Sequence, residues 1–131
     1  MAADLTTAIT ERIDKARRKL RSAEHCLAAG DLEDAASRAY YAMFHAAYAA
    51  LLPFRVAPKG HKGLAAMLSL HRVKPGHIAI DHDRAFVAAR DQREYSDYDV
   101  AIILGDALAR SIVEDARRFV ETIEKLLQAD R

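Results

Sequence analysis

The chain has 131 residues, 51% of them hydrophobic and 30% charged, and a formal net charge of +1. That length suits one domain rather than two, and the apolar share supports a core without staples. The single cysteine, Cys26, excludes an internal disulfide or a multi-cysteine metal cluster and is expected to be a structural, half-buried thiol, while the lack of an apolar leader or a bilayer-length run points to the cytoplasm.

The first helix is written in Ile9, Ile13, Ala16, Leu20, Ala23 and Leu27, whose steps of four and three fall on one stripe. Arg12, Lys15, Arg17, Arg18, Lys19 and Arg21 lie off it, as a solvated face or a surface that touches nucleic acid. Gly30 suits the helix stop and Asp31 the N-cap of a second helix, with Glu33 and Asp34 favoured by the dipole of its first turn. The second helix is predicted over 32–52, ended by Pro53. Pro53, Pro58 and Gly60 then make a loop, a shorter helix covers 62–70, and Pro75-Gly76 breaks the chain again. A further helix runs from Asp81 to about Glu94, and Asp99 is the expected N-cap of the last one. The last stripe reads Leu104, Leu108, Ile112, Ala116, Phe119, Ile123 and Leu127. Nothing alternates in the manner of a sheet. The expected fold is all-α: a single domain over 1–131 with its core at about 9–127, an antiparallel up-and-down bundle of about five helices.

Charge is unevenly spread. From Ala35 through Ile80 there is no acid, while Arg38, Arg55, Lys59, Lys62, Arg72 and Lys74 occur there, and six acids then follow between Asp81 and Asp99. The basic third could attract phosphates or be neutralised by folding against the acidic segment.

At 100° per residue the second helix has a broad apolar side of Ala36, Ala39, Tyr40, Met43, Phe44, Ala47, Ala50 and Leu51. Asp34, Ser37, Arg38, Tyr41, His45 and Tyr48 share a narrower stripe, flanked by Ala35, Ala42 and Ala49, which leave room for a neighbouring chain or ligand. Arg38 and His45 sit roughly 10 Å apart along the axis with Tyr41 between them. An arginine fork, a phenol and an imidazole can bind a phosphate, or can simply hydrogen-bond across a helix interface, Arg38 pairing for example with an acid beyond Asp81. No histidine pair has metal-ligand spacing with a carboxylate on its face; His77, Asp81 and His82 come nearest and straddle a helix start, so neither metal nor cofactor is expected.

The run Ser37-Arg38-Ala39-Tyr40-Tyr41-Ala42-Met43-Phe44-His45 resembles the second helix of the HEPN family, in particular its small stand-alone bacterial and archaeal members. Gly60-His61-Lys62-Gly63 resembles the Thr-His turn before the third helix, with glycine preceding the histidine here, and Arg93-Glu94-Tyr95-Ser96-Asp97-Tyr98 resembles the Arg-x-x-Ala/Ser-Asp-Tyr run before the last. The resemblance implies a helical bundle that dimerises and is often paired with a minimal nucleotidyltransferase partner in a toxin-antitoxin arrangement. Many such proteins are ribonucleases in which an Arg, four to six spacers and a His from each mate meet in a cleft. The His would serve as acid or base and the Arg would stabilise developing phosphorane charge.

Here the position four spacers after Arg93 is Tyr98, and no histidine follows His82. A phenol is a poor general base at neutral pH. Arg38 to His45, Arg55 to His61 and Arg72 to His77 also satisfy the spacing, but about two such hits are expected by chance, and the last two contain proline and glycine. The catalytic candidates are therefore Arg93 and Tyr98. The candidate binding set is Arg38, Tyr41, His45, Tyr48, His61, Arg90, Arg93, Asp97 and Tyr98. The leading expectation is an interaction or nucleotide- or RNA-binding module that acts with a nucleotidyltransferase. The alternatives are an active metal-independent ribonuclease and a purely structural helical dimer.

Overall fold

The computed structural model describes residues 2–98 and 104–130, with side chains at 4–95 and 104–130. Five helices account for it: α1 (Ala2–Ala28), α2 (Leu32–Leu51), α3 (Gly60–Leu68), α4 (Ile80–Tyr98) and α5 (Asp106–Ala129). No strand occurs among the described residues. A 3-10 turn at Leu52–Phe54 follows α2, with Pro53 in its first positions, and a π turn at Ser69–Val73 extends α3.

α1 closes at Gly30, whose φ of +83° only glycine adopts freely. The Gly30 N–H reaches the Leu27 carbonyl at 3.1 Å and the Asp31 N–H reaches that of Cys26 at 2.9 Å, the paired bonds of a left-handed C-terminal cap. Asp31 takes the N-cap position of α2, though its carboxylate makes no capping bond. A Cβ at Gly30 would meet nothing within 4 Å. Gly30→Ala is therefore expected to lower stability by about 1 kcal/mol through backbone strain alone, read as a shift in the urea midpoint.

α2 is the axle of the bundle. Ala35, Ala39, Ala42, Ala46, Ala47, Ala49 and Ala50 are wholly buried along with Tyr40, Met43 and Leu51. Small side chains let neighbouring helices approach on several sides, and α1 answers with buried Ala16 and Ala23. Arg38 donates to the Ser22 hydroxyl at 2.8 Å, and Arg12 bonds His45 at 3.1 Å, so α1 runs antiparallel along that face. The room predicted beside Ala35, Ala42 and Ala49 is taken by α1. Arg17–Glu124 and Glu24–Arg117 pairs align α5 antiparallel to α1. Thr122 bonds His82, and Phe86 packs 5.7 Å from Phe119, which sets α4 antiparallel to α5. The half-buried thiol of Cys26 packs against the same core.

Two sequence expectations change. α5 starts at Asp106, capped from Gly105, and Asp99 lies outside the described residues. Leu108 is 47% exposed, while Ala109, Ile112, Val113, Ala116, Phe119 and Val120 fill the core. Of the two fates left open for the basic stretch, its arginines and lysines form no ion pair with the acidic segment among the described residues. Its Arg72 instead donates to Asp130 at 2.8 Å, to the Ala50 carbonyl at 2.9 Å, and bonds His77 at 3.1 Å. Arg72 is 2% exposed, and its guanidinium lies 4.7 Å over the Phe54 ring.

Candidate functional site

The candidate residues gather along one edge of α2. Tyr41, His45 and Tyr48, continued at Leu52, recur at helical spacing, and both tyrosines are only half-buried. Two neighbouring helices each lay an arginine on this edge. From α4, the Arg93 guanidinium stands 4.8 Å over the Tyr41 ring; from α1, Arg12 stands 4.0 Å over Tyr48. A planar guanidinium on an aromatic face keeps its edge of N–H donors outward and oriented.

Around Tyr41 the cluster is aromatic and cationic. His61, at the start of α3, sits 6.3 Å from Tyr41, 5.4 Å from Tyr40 and 5.2 Å from Phe44, ring centre to ring centre. Tyr40 is wholly buried and stacks on Phe86 at 5.6 Å, and its hydroxyl bonds His61 Nδ1. Burial pushes the Tyr40 phenol well above its ordinary range, against the opposing pull of Arg90. The protonated phenol can donate to Nδ1 or accept from it, so the bond fixes the ring's position and orientation. Burial first, and then Arg93, hold His61 below its usual value, so the ring is neutral at pH 7. Arg90 lies one turn before Arg93. It pairs with Asp91 at 3.3 Å, yet its buried Nε has no acceptor among the described residues. The arrangement gathers His61, Arg90 and Arg93 around an aromatic pad.

At the other end of the edge, His45 is 8% exposed and accepts from Arg12. Burial, followed by Arg12, Lys15 and Lys19, holds its pKa down to about 4. Arg38 lies apart on the α1 side with Ser22, so it does not join the Arg93 cluster. Asp97 and Tyr98 end α4, and their side chains lie outside the described residues. Arg12 is the residue that sequence reasoning left among the solvated cations of α1; its stripe position gave no sign that it would fold onto His45 and Tyr48. No group of three or more His, Cys, Asp or Glu is placed to hold a metal among the described residues. No described helix is long and apolar enough to cross a membrane.

The family described as HEPN domain matches residues 9–126. A protein of Methanocaldococcus jannaschii, named as a candidate toxin, is 33% identical over 95% of this chain and 92% of its own length. A UPF0332 protein of Archaeoglobus fulgidus is 34% identical over 92% of this chain and 95% of its own. A UPF0332 protein of Pyrococcus horikoshii is 32% identical over 96% of this chain and 80% of its own.

Proposed function

The chain belongs to the HEPN domain family, and from that premise we propose that it is a toxin-like protein which binds RNA or a nucleotide on the α2 edge without cleaving it. In this reading it works in the cytoplasm as a homodimer with a nucleotidyltransferase partner. The toxin-like part draws on the name of the relative from Methanocaldococcus jannaschii. The observation that carries the binding part is Arg93 of α4 lying over Tyr41 in an aromatic cluster with His61 and Phe44. Arginines beside aromatic rings recognise a phosphate and stack a base. The non-cleaving part rests on Tyr98, which stands four spacers after Arg93 where a ribonuclease would carry its histidine, and a phenol is a poor base at neutral pH.

The competing reading, a metal-independent ribonuclease, is favoured by one fact: Arg93 and His61 both stand against Tyr41 although they come from different helices. A fluorescent single-stranded oligoribonucleotide incubated with the protein in EDTA separates the two. Anisotropy is expected to show binding that Arg90→Ala/Arg93→Ala weakens by about tenfold or more, since each charge-assisted bond contributes roughly 1.5–3 kcal/mol. The strand is expected to remain intact on a denaturing gel. Cleavage that disappears in Arg93→Ala would overturn the binding reading in favour of the nuclease.

A further inference from the structure

The α1 end of the edge has the makings of a second ligand station. Arg12 is held by His45 at 3.1 Å and by the Tyr48 ring at 4.0 Å, so one side of its fork is fixed and the other stays open. Lys15 and Lys19 follow at helical spacing on the same side of α1. Both bear on buried His45 as Arg12 does. Among the described residues none of these three cations forms an ion pair, whereas Arg17 of the same helix is taken by Glu124. Beside them lies a surface hollow of about 300 Å³, lined by Ala8, Glu11, Arg12, Lys15 and Leu52.

Arg12 and Lys15 line the hollow together with Glu11, Ala8 and Leu52, and Lys19 lies one turn further along α1. This matches a nucleotide, phosphate on the cations and base on Ala8 and Leu52, which a bare phosphate would leave unused. The tyrosine under Arg12 repeats the arrangement of Arg93 on Tyr41, two turns earlier on α2. Arginine-backed aromatic pads spaced along a basic edge are how sequence-tolerant proteins follow a single strand.

We propose that Arg12, Lys15 and Lys19, with Tyr48 and Leu52, form a second station for single-stranded RNA, so that one strand runs along the α2 edge across both pads. The proposal takes its ligand class from the RNA reading above; its cations, Arg12, Lys15 and Lys19, are separate from Arg90 and Arg93, which the test of that reading removes.

The test is the affinity of a fluorescent single-stranded oligoribonucleotide as a function of salt. Lys15→Ala/Lys19→Ala is expected to weaken binding about tenfold and to flatten the log–log salt slope by about 1.4, two phosphate contacts at about 0.7 each. Alanine keeps the helix, and circular dichroism checks it. Arg21→Ala/Lys125→Ala removes the same charge elsewhere and is expected to leave the slope unchanged. An equal loss in both double variants means net charge alone and overturns the station. Loss only in Arg90→Ala/Arg93→Ala leaves the first site standing and removes the second. Loss only in Lys15→Ala/Lys19→Ala keeps the second and removes the first. Tight binding of polyglutamate that competes with the strand for Lys15 and Lys19 would assign the station to an acidic protein instead, and would also overturn the proposal.

Discussion

Arg72→Ala is expected to destabilise the protein by about 3–5 kcal/mol, measured as a loss of unfolding free energy in urea. The guanidinium is buried and bonds the Ala50 carbonyl, His77 and Asp130 while its face covers Phe54. Truncation leaves the carbonyl of α2 without that donor, strips Asp130 of its counter-charge and opens a cavity beside Phe54. These losses share one side chain, so their sum is not additive, but any one exceeds a surface effect. Arg72→Lys is expected to recover little, because a single ammonium cannot reach three acceptors in a plane. A loss under about 1 kcal/mol for Arg72→Ala would show that the cluster is dispensable.

The second large effect is acid sensitivity. His45 titrates near 4 in the folded chain and near 6.5 when unfolded. Its folded value is lowered, so the unfolded state binds the proton more readily. The stability tied to its neutral form is complete above about pH 6.5 and is lost as pH falls toward 4. The difference corresponds to roughly 2 kcal/mol at pH 5 and approaches about 3 kcal/mol near pH 4. Burial is its first cause, and the charges that add to it, Arg12, Lys15 and Lys19, are all on α1. His61, also lowered, acts in the same direction, while Asp83, raised by burial, acts in the opposite one. The informative quantity is therefore wild type against His45→Gln, whose amide oxygen still accepts from Arg12 and does not titrate. Urea midpoints at pH 7.5 and 5 should diverge for the wild type by clearly more than for the variant. Parallel shifts in both would remove His45 as the source.

Helix existence was legible because each apolar stripe is a local pattern of three- and four-residue steps. The seam of α5 shows where such a pattern stops informing: Leu108 has the right spacing, yet it is exposed two residues into a helix that begins at Asp106. The α2 stripe was legible as a set of polar positions on a helical wheel, but the wheel does not say which neighbour covers which position. Arg38 went to Ser22, His45 and Tyr48 to Arg12, and Tyr41 to Arg93. Arg72 and His77 could not share one helix face, and they do not; the turn after the π segment brings the histidine back within 3.1 Å. The bond from Arg72 to Asp130 spans 58 residues, a separation over which side-chain spacing has no information.

The alanine-lined burial of α2 has a consequence for how a ligand is met. Tyr41 and Tyr48 ride on a helix buried along most of its length, and their rings are already covered by arginines from two other helices. Little of the protein's own conformational entropy remains to be lost on binding. The ordering cost falls on the strand, so selection among strands should follow their flexibility and ease of unstacking, with the protein acting as a rigid template.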